Sequence, residues 1–118
     1  MNFFRALQVL GIPDAKYVAE DLFPDGAGLA TIFERMLEGI DPEYTNLWRC
    51  SYGINEKFVS QERQSEVLGI TEHNLKMMRK RVRNILRTPP RISILTNAIT
   101  EAENARKKAP RRSSKRVA

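Results

Sequence analysis

Residues 60–90, SQERQSEVLGITEHNLKMMRKRVRNILRTPP, contain the start and stop signals of two helices joined by a short turn. Ser60 can cap the first helix, because its hydroxyl accepts a hydrogen bond from an otherwise unpaired backbone N–H. Gly69 can end that helix by adopting a left-handed backbone conformation at no steric cost. Thr71 can cap a second helix, predicted over residues 72–87 and stopped by two prolines. The stretch therefore predicts a helix-turn-helix.

The predicted second helix has an apolar face and a basic face. The apolar residues recur at the three- and four-residue spacing of a buried helical stripe. They are Leu75, Met78, Val82, Ile85 and Leu86. The charged residues are six cations, Lys76, Arg79, Lys80, Arg81, Arg83 and Arg87, and one acid, Glu72. Solvated faces usually mix the two signs, so the excess favours contact with the phosphates of DNA or RNA over a merely solvated face.

The charge of the whole chain is divided between its two halves. Residues 1–58 contain five Lys/Arg and nine Asp/Glu, for a net charge of −4, whereas residues 59–118 contain fifteen and five, for a net charge of +10. The second half would attract nucleic acid, and binding would release the counterions that are condensed on the nucleic acid. We expect the acidic half to face away from nucleic acid, toward a protein.

Composition limits the remaining possibilities. A chain of 118 residues predicts one domain with a modest core. No apolar run approaches the roughly 18 residues of a membrane span, and residues 1–10 lack the pattern of a signal peptide. The one cysteine, Cys50, can form neither an internal disulfide nor a cysteine-based zinc site. We expect a cytoplasmic protein without cofactor or metal.

Helical spacing and capping residues predict further helices and no strand. The predicted helices cover residues 3–10, 15–23, 29–38, 42–51 and 91–107, in addition to the two described above. The fold class is therefore all-α, a small helical bundle. We divide it into an N-terminal helical appendage (1–28), a helix-turn-helix domain (29–104) and a basic disordered tail (105–118) that could contact nucleic acid or merely be solvated.

Four segments, in this order and spacing, resemble region four of sigma-70-type bacterial sigma factors. They are DPE at 41–43, SYGI at 51–54, VLGIT at 67–71 and NILRTPPR at 84–91. The resemblance covers about 70 of the 118 residues. It implies a module that binds the minus-35 promoter element through its second motif helix and packs on the β-flap tip of RNA polymerase.

The same resemblance implies a stand-alone regulator or one half of a split sigma factor, because nothing in residues 1–28 resembles the promoter-melting part of the family. The expected partners are promoter DNA, bacterial RNA polymerase and, in the split case, a partner sigma subunit. Such a protein would be associated with the nucleoid.

We assign candidate DNA contacts on the two motif helices. Those for reading bases are Glu72, His73, Asn74, Lys76 and Met77. Those for the DNA backbone are Ser60, Thr71, Arg79, Lys80, Arg83 and Arg87. The family typically has Arg, Glu and Gln where this chain has Glu72, His73 and Met77, so a different target sequence is expected. Gln64 also stands where an apolar residue is usual.

Other functions are less well supported by the residues. No nucleophile–base pair, phosphate-binding glycine loop or paired carboxylates can be identified, so we do not expect an enzyme. A module that binds RNA polymerase or another sigma factor without reading DNA is the main alternative. A self-contained repressor that binds DNA as a dimer is a third possibility.

Overall fold

A computed structural model of the chain describes the backbone of residues 2–117, and all their side chains except those of Ala27 and residues 108–117. Within residues 2–117 the fold is entirely helical, as the sequence predicts. The α-helices are α1 (Phe3–Val9), α2 (Ala15–Tyr17), α3 (Ala27–Leu37), α4 (Pro42–Tyr52), α5 (Gln61–Leu68), α6 (Glu72–Leu86) and α7 (Pro89–Val117), and a π-helical turn, Val18–Leu22, follows α2. None of the described helices is long and apolar enough to cross a membrane.

The predicted boundaries of α5 and α6 are correct to within one residue. The Ser60 hydroxyl accepts a hydrogen bond from the Arg63 N–H at 3.2 Å. The Thr71 hydroxyl accepts one from the Asn74 N–H at 3.1 Å. Gly69 ends α5 with φ of 68°, in the left-handed region that favours glycine. The local signals in the sequence therefore act as expected.

The core is a single cluster to which nearly every helix contributes. In α6 the predicted stripe is confirmed, with Leu75, Val82 and Leu86 buried and Met78 and Ile85 half-buried. The largest fully buried side chains are Trp48, Phe33, Leu7, Leu29, Met36, Ile54, Leu75, Leu86, Leu95 and Val82.

The N-terminal segment, predicted as an appendage, shares this core. The backbone N–H of Asn2 donates a hydrogen bond to the carbonyl of Tyr52 at 2.8 Å, which fixes the start of α1 against the end of α4. Phe3 and Leu7 are buried, whereas Phe4 is exposed. The Phe3 ring packs so closely on Gly26 that a Cβ there would lie 2.8 Å from it. Residues 1–28 are thus an integral part of the bundle.

The last helix is longer than predicted at both ends. It begins at Pro89. Proline has no backbone N–H, but the N–H groups of the first helical turn have no partner within the helix, so proline is tolerated there. Residues 105–107, predicted both as the end of the last helix and as the start of a disordered tail, are helical, and the Arg106 guanidinium lies 5.4 Å from the centre of the Tyr17 ring. Beyond Lys107 the described backbone is helical to Val117. The side chains there lie outside the described part, so the predicted nucleic-acid contact of the tail remains a prediction.

Arg91 joins α7 to α3. Its guanidinium donates hydrogen bonds to the carbonyls of Met36, at 2.5 Å, and Glu38, at 2.6 Å, at the end of α3. The last turn of a helix has unpaired carbonyls and a partial negative charge. The Arg91 guanidinium donates hydrogen bonds to such carbonyls, and its positive charge is attracted to the negative end of the helix. The proline pair that starts α7 places Arg91 within reach of α3.

We expect Arg91→Ala to lower the free energy of unfolding by about 2 kcal/mol, because two charge-assisted hydrogen bonds to partly exposed carbonyls are lost. Urea titration followed by circular dichroism measures this change. Arg35→Ala is the control, because it removes an exposed arginine from α3 itself. Equal losses in the two variants would contradict the assigned role.

A second polar contact joins α3, α4 and the loop that follows α4. The Arg49 guanidinium makes a two-pronged ion pair with Glu34, with N–O distances of 2.7 and 2.8 Å. The Asn55 amide donates a further hydrogen bond to Glu34 at 3.0 Å. Chiefly because of the hydrogen bond from Arg49, the pKa of Glu34 is lower than its ordinary value of 4.5.

This lowered pKa predicts a pH-dependent contribution to stability. A carboxylate whose pKa falls on folding stabilises the fold above its unfolded pKa, and the effect disappears as the pH falls through the folded value. Glu34→Gln should therefore cost at most about 1 kcal/mol at about pH 7, since the pair is partly exposed, and almost nothing at about pH 2. Urea titrations at both values test this, with Glu38→Gln as the control. A loss that persists at low pH would contradict it.

Candidate nucleic-acid interface

The five candidate base-reading residues are all exposed on the first two turns of α6. They do not form a single surface. Glu72 faces α5, where its carboxylate accepts a hydrogen bond from the Gln61 amide at 3.3 Å. Asn74 and Met77 line a groove on one flank of α6, and Lys76 lines a cleft on the other.

The crest of α6 lies between these two flanks. Residues 73, 76, 77 and 80 follow the i, i+3, i+4, i+7 spacing that places side chains on one helical face. His73, Lys76, Met77 and Lys80 are all exposed there, and Lys80 borders both flanks. This crest is the exposed face of α6 between the groove and the cleft.

On the first flank, an apolar groove of about 690 Å³ separates α6 from the start of α4. Its apolar lining is formed by Tyr44, Ile70, Met77, Met78 and Ile85. Arg81 borders it and donates a hydrogen bond to the Tyr44 hydroxyl at 3.2 Å. We refer to it below as the apolar groove.

On the other flank, a cleft of about 580 Å³ lies between α6 and the paired ends of α1 and α4. Its cations are Arg5, Lys76, Arg79, Lys80 and Arg83, and none of the described residues that line it is acidic. We refer to it below as the basic cleft. Three candidate backbone contacts, Arg79, Lys80 and Arg83, therefore meet in one place.

The other backbone candidates lie elsewhere. The Arg87 guanidinium extends toward the end of α1, 3.8 Å from where a Cβ on Gly11 would be. Ser60 and Thr71 are exposed, and their oxygens accept the capping hydrogen bonds of α5 and α6. A hydroxyl can donate and accept hydrogen bonds at the same time, so each of these two hydroxyls can still donate to another acceptor.

Arg5 and Tyr52 are residues of the basic cleft that the sequence did not indicate. Burial raises the pKa of the Tyr52 hydroxyl, while the nearby charges of Arg79, Arg5 and Arg83 act in the opposite direction. The sequence contained one weak indication of the role of Arg5, which is the only Lys or Arg among residues 1–15.

Gln64, unexpected at its position in α5, has a structural role. Its side chain is 6% exposed, and its amide donates hydrogen bonds to the Val59 carbonyl at 2.8 Å and the Ser51 hydroxyl at 3.4 Å. It thereby joins α5 to the preceding connector and to α4. This contact helps to fix the orientation of α5 and hence the start of α6.

Among the residues whose side chains are described, no group of three or more His, Cys, Asp or Glu could hold a metal ion. No family model, curated protein or solved structure matches this chain.

The Thr71 cap is expected to control the order of the first turn of α6, where the crest begins. Thr71→Ala should cost about 1 kcal/mol of unfolding free energy, because the Asn74 N–H loses its acceptor. It should also speed amide hydrogen exchange at Asn74. Thr71→Ser retains the hydroxyl and is the control. The cap has no such role if the serine variant is destabilised as much as the alanine variant.

Proposed function

We propose that this protein is a DNA-binding transcription regulator in which α5 and α6 act as a sigma region four-like helix-turn-helix. In this proposal α6 enters the major groove of promoter DNA, and the protein works together with RNA polymerase. The observation that carries it is the exposed crest of α6, with hydrogen-bonding side chains at its start and a cleft of unopposed cations beside it.

The chemistry of the crest suits base edges in the major groove. Lysine pairs with the acceptors of guanine, and a methionine side chain can pack on a thymine methyl group. Lys76 and Met77 therefore have the best positions for reading bases. Glu72, which could accept from cytosine, is engaged by Gln61, and Asn74 can reach adenine only from the apolar groove.

The positions of the cations suit the DNA backbone. A helix lying in the major groove has phosphates along both of its sides, and phosphate contacts fix its register without reading sequence. Arg79 and Arg83 lie on the flank of the crest, as such contacts require. RNA polymerase enters the proposal through the resemblance of four sequence segments to region four, which also suggests its β flap or a partner sigma subunit as the protein contact.

A second candidate function is a protein-interaction module that binds RNA polymerase or another sigma factor without reading DNA. It is favoured by the apolar groove and by large apolar side chains that are exposed around α5, namely Phe58, Val67 and Leu68. Contiguous exposed apolar surface, such as this groove provides, often marks a site of protein contact. One molecule can have both functions. They differ because only the first predicts that the protein binds DNA with a preference for particular sequences.

DNA binding is tested with two lysine variants that remove the same charge one helical turn apart. Lys76→Ala should change the ranking of duplexes in a sequence library, because it removes a base contact. Lys80→Ala should weaken all duplexes alike and lower the salt dependence of binding by about one phosphate contact. Fluorescence anisotropy across a salt series measures both effects.

If wild-type protein shows no sequence preference and a flat salt dependence, the DNA-binding proposal is wrong. The interaction module then stands if the double variant Lys76→Gln/Lys80→Gln still copurifies with core RNA polymerase. If the two alanine variants behave alike, the assignment of base and backbone contacts on α6 is wrong.

A further inference from the structure

Three helices from distant parts of the chain build the basic cleft. Asn2 and Arg5 come from the start of α1, Trp48 and Tyr52 from α4, and the remaining cations from α6. The N-terminal segment, expected to face away from nucleic acid, therefore contributes a wall of the basic cleft.

The position of Arg5 is fixed by hydrogen bonds of the backbone. The Asn2 N–H donates to the Tyr52 carbonyl at 2.8 Å, which joins α1 to α4. The Asn2 side chain accepts from the Arg5 N–H at 3.0 Å and so caps α1. These bonds hold Arg5 in the first turn of α1, across the cleft from α6, while its side chain remains exposed.

The charges in the cleft are not compensated within the described part of the chain. No ion pair there involves any of its five cations, Arg5, Lys76, Arg79, Lys80 and Arg83. Like charges gathered in one concave surface repel each other and focus a positive potential on it. A bound anion would relieve that repulsion.

The cleft also contains buried hydrogen-bond donors without acceptors. In the described part of the chain, the indole N–H of Trp48 and the Nε–H groups of Arg79 and Arg83 are buried and unpaired. Trp48 is 1% exposed, and all three residues line the cleft. Arg79 uses another guanidinium nitrogen to donate to the side chain of Gln61. Buried donors are normally paired, and these three belong to residues that line the cleft, which favours an acceptor group bound there.

We propose that the basic cleft binds a phosphate group and that, in the DNA complex, Arg5 contacts a backbone phosphate there. Phosphate combines negative charge with several acceptor oxygens, and it matches the forked donors of arginine. The DNA part rests on the proposed function, whereas the phosphate chemistry does not.

The DNA contact is tested with Arg5→Gln against Arg35→Gln, which removes an exposed arginine from α3. Arg5→Gln should weaken all duplexes by about tenfold without changing their ranking, as expected for one charge-assisted contact. The salt slope should fall by about one phosphate contact. Arg5→Lys should lie between wild type and Arg5→Gln, and Arg35→Gln should match wild type.

Inorganic phosphate tests the chemistry independently of DNA. Trp48 is the only tryptophan of the chain and lines the cleft, so its fluorescence reports on an anion bound there. Sodium phosphate, compared with sodium chloride at equal ionic strength, should change that fluorescence in a saturable way and raise the melting temperature. The half-saturating phosphate concentration should rise about tenfold in Arg5→Gln and stay unchanged in Arg35→Gln.

The two arms separate the cleft from the proposed function. An Arg5-dependent phosphate response without DNA binding would support the cleft as a site for free phosphate compounds and contradict the DNA-binding function. An Arg5-dependent loss of DNA affinity alone would assign the cleft to phosphodiesters. If Arg5→Gln behaves like Arg35→Gln in both arms, or if neither arm shows binding, the cleft is not a phosphate site.

Discussion

Burial of the apolar stripe of α6 determines which of its residues this helix presents to solvent. Leu75, Val82 and Leu86 are fully enclosed, and burying a side chain of this kind stabilises a fold by roughly 1.5–3 kcal/mol. Rotating α6 about its axis would expose all three at once, so its rotation is strongly constrained. Because that rotation is fixed, the crest, the basic cleft and the apolar groove have fixed positions as well.

The ends of α1 and α4 give one flank of α6 its character. Asn2 joins these helices through the carbonyl of Tyr52, and the cations of α6 thereby become the wall of a cleft instead of a flat charged surface. A concave wall with a low dielectric behind it concentrates the field of its charges. The N-terminal segment belongs to the acidic half of the chain, yet it adds one cation, Arg5, to the basic cleft.

Much of the local structure could be predicted from the sequence, and the candidate site only in part. Ser60, Gly69 and Thr71 act on backbone groups within a few residues, so their effects can be read from the sequence. The candidate base-reading residues of α6 are all exposed, yet they do not share one surface. Some line the apolar groove, Lys76 lines the basic cleft, and Glu72 accepts a hydrogen bond from Gln61. The role of Gln64 was equally hidden, because its partners are carbonyl and hydroxyl groups that only packing brings near.

The sequence by itself determined the helices, their caps, the apolar stripe and the excess of cations on α6, because each follows from interactions between near neighbours. The tertiary structure alone decided that Arg5 and Trp48 meet Arg79 and Arg83. It likewise decided that Arg91 closes the end of α3. These partners lie far apart in the chain, and no local propensity links them. They come together because the helices that carry them must bury their apolar faces in one shared core.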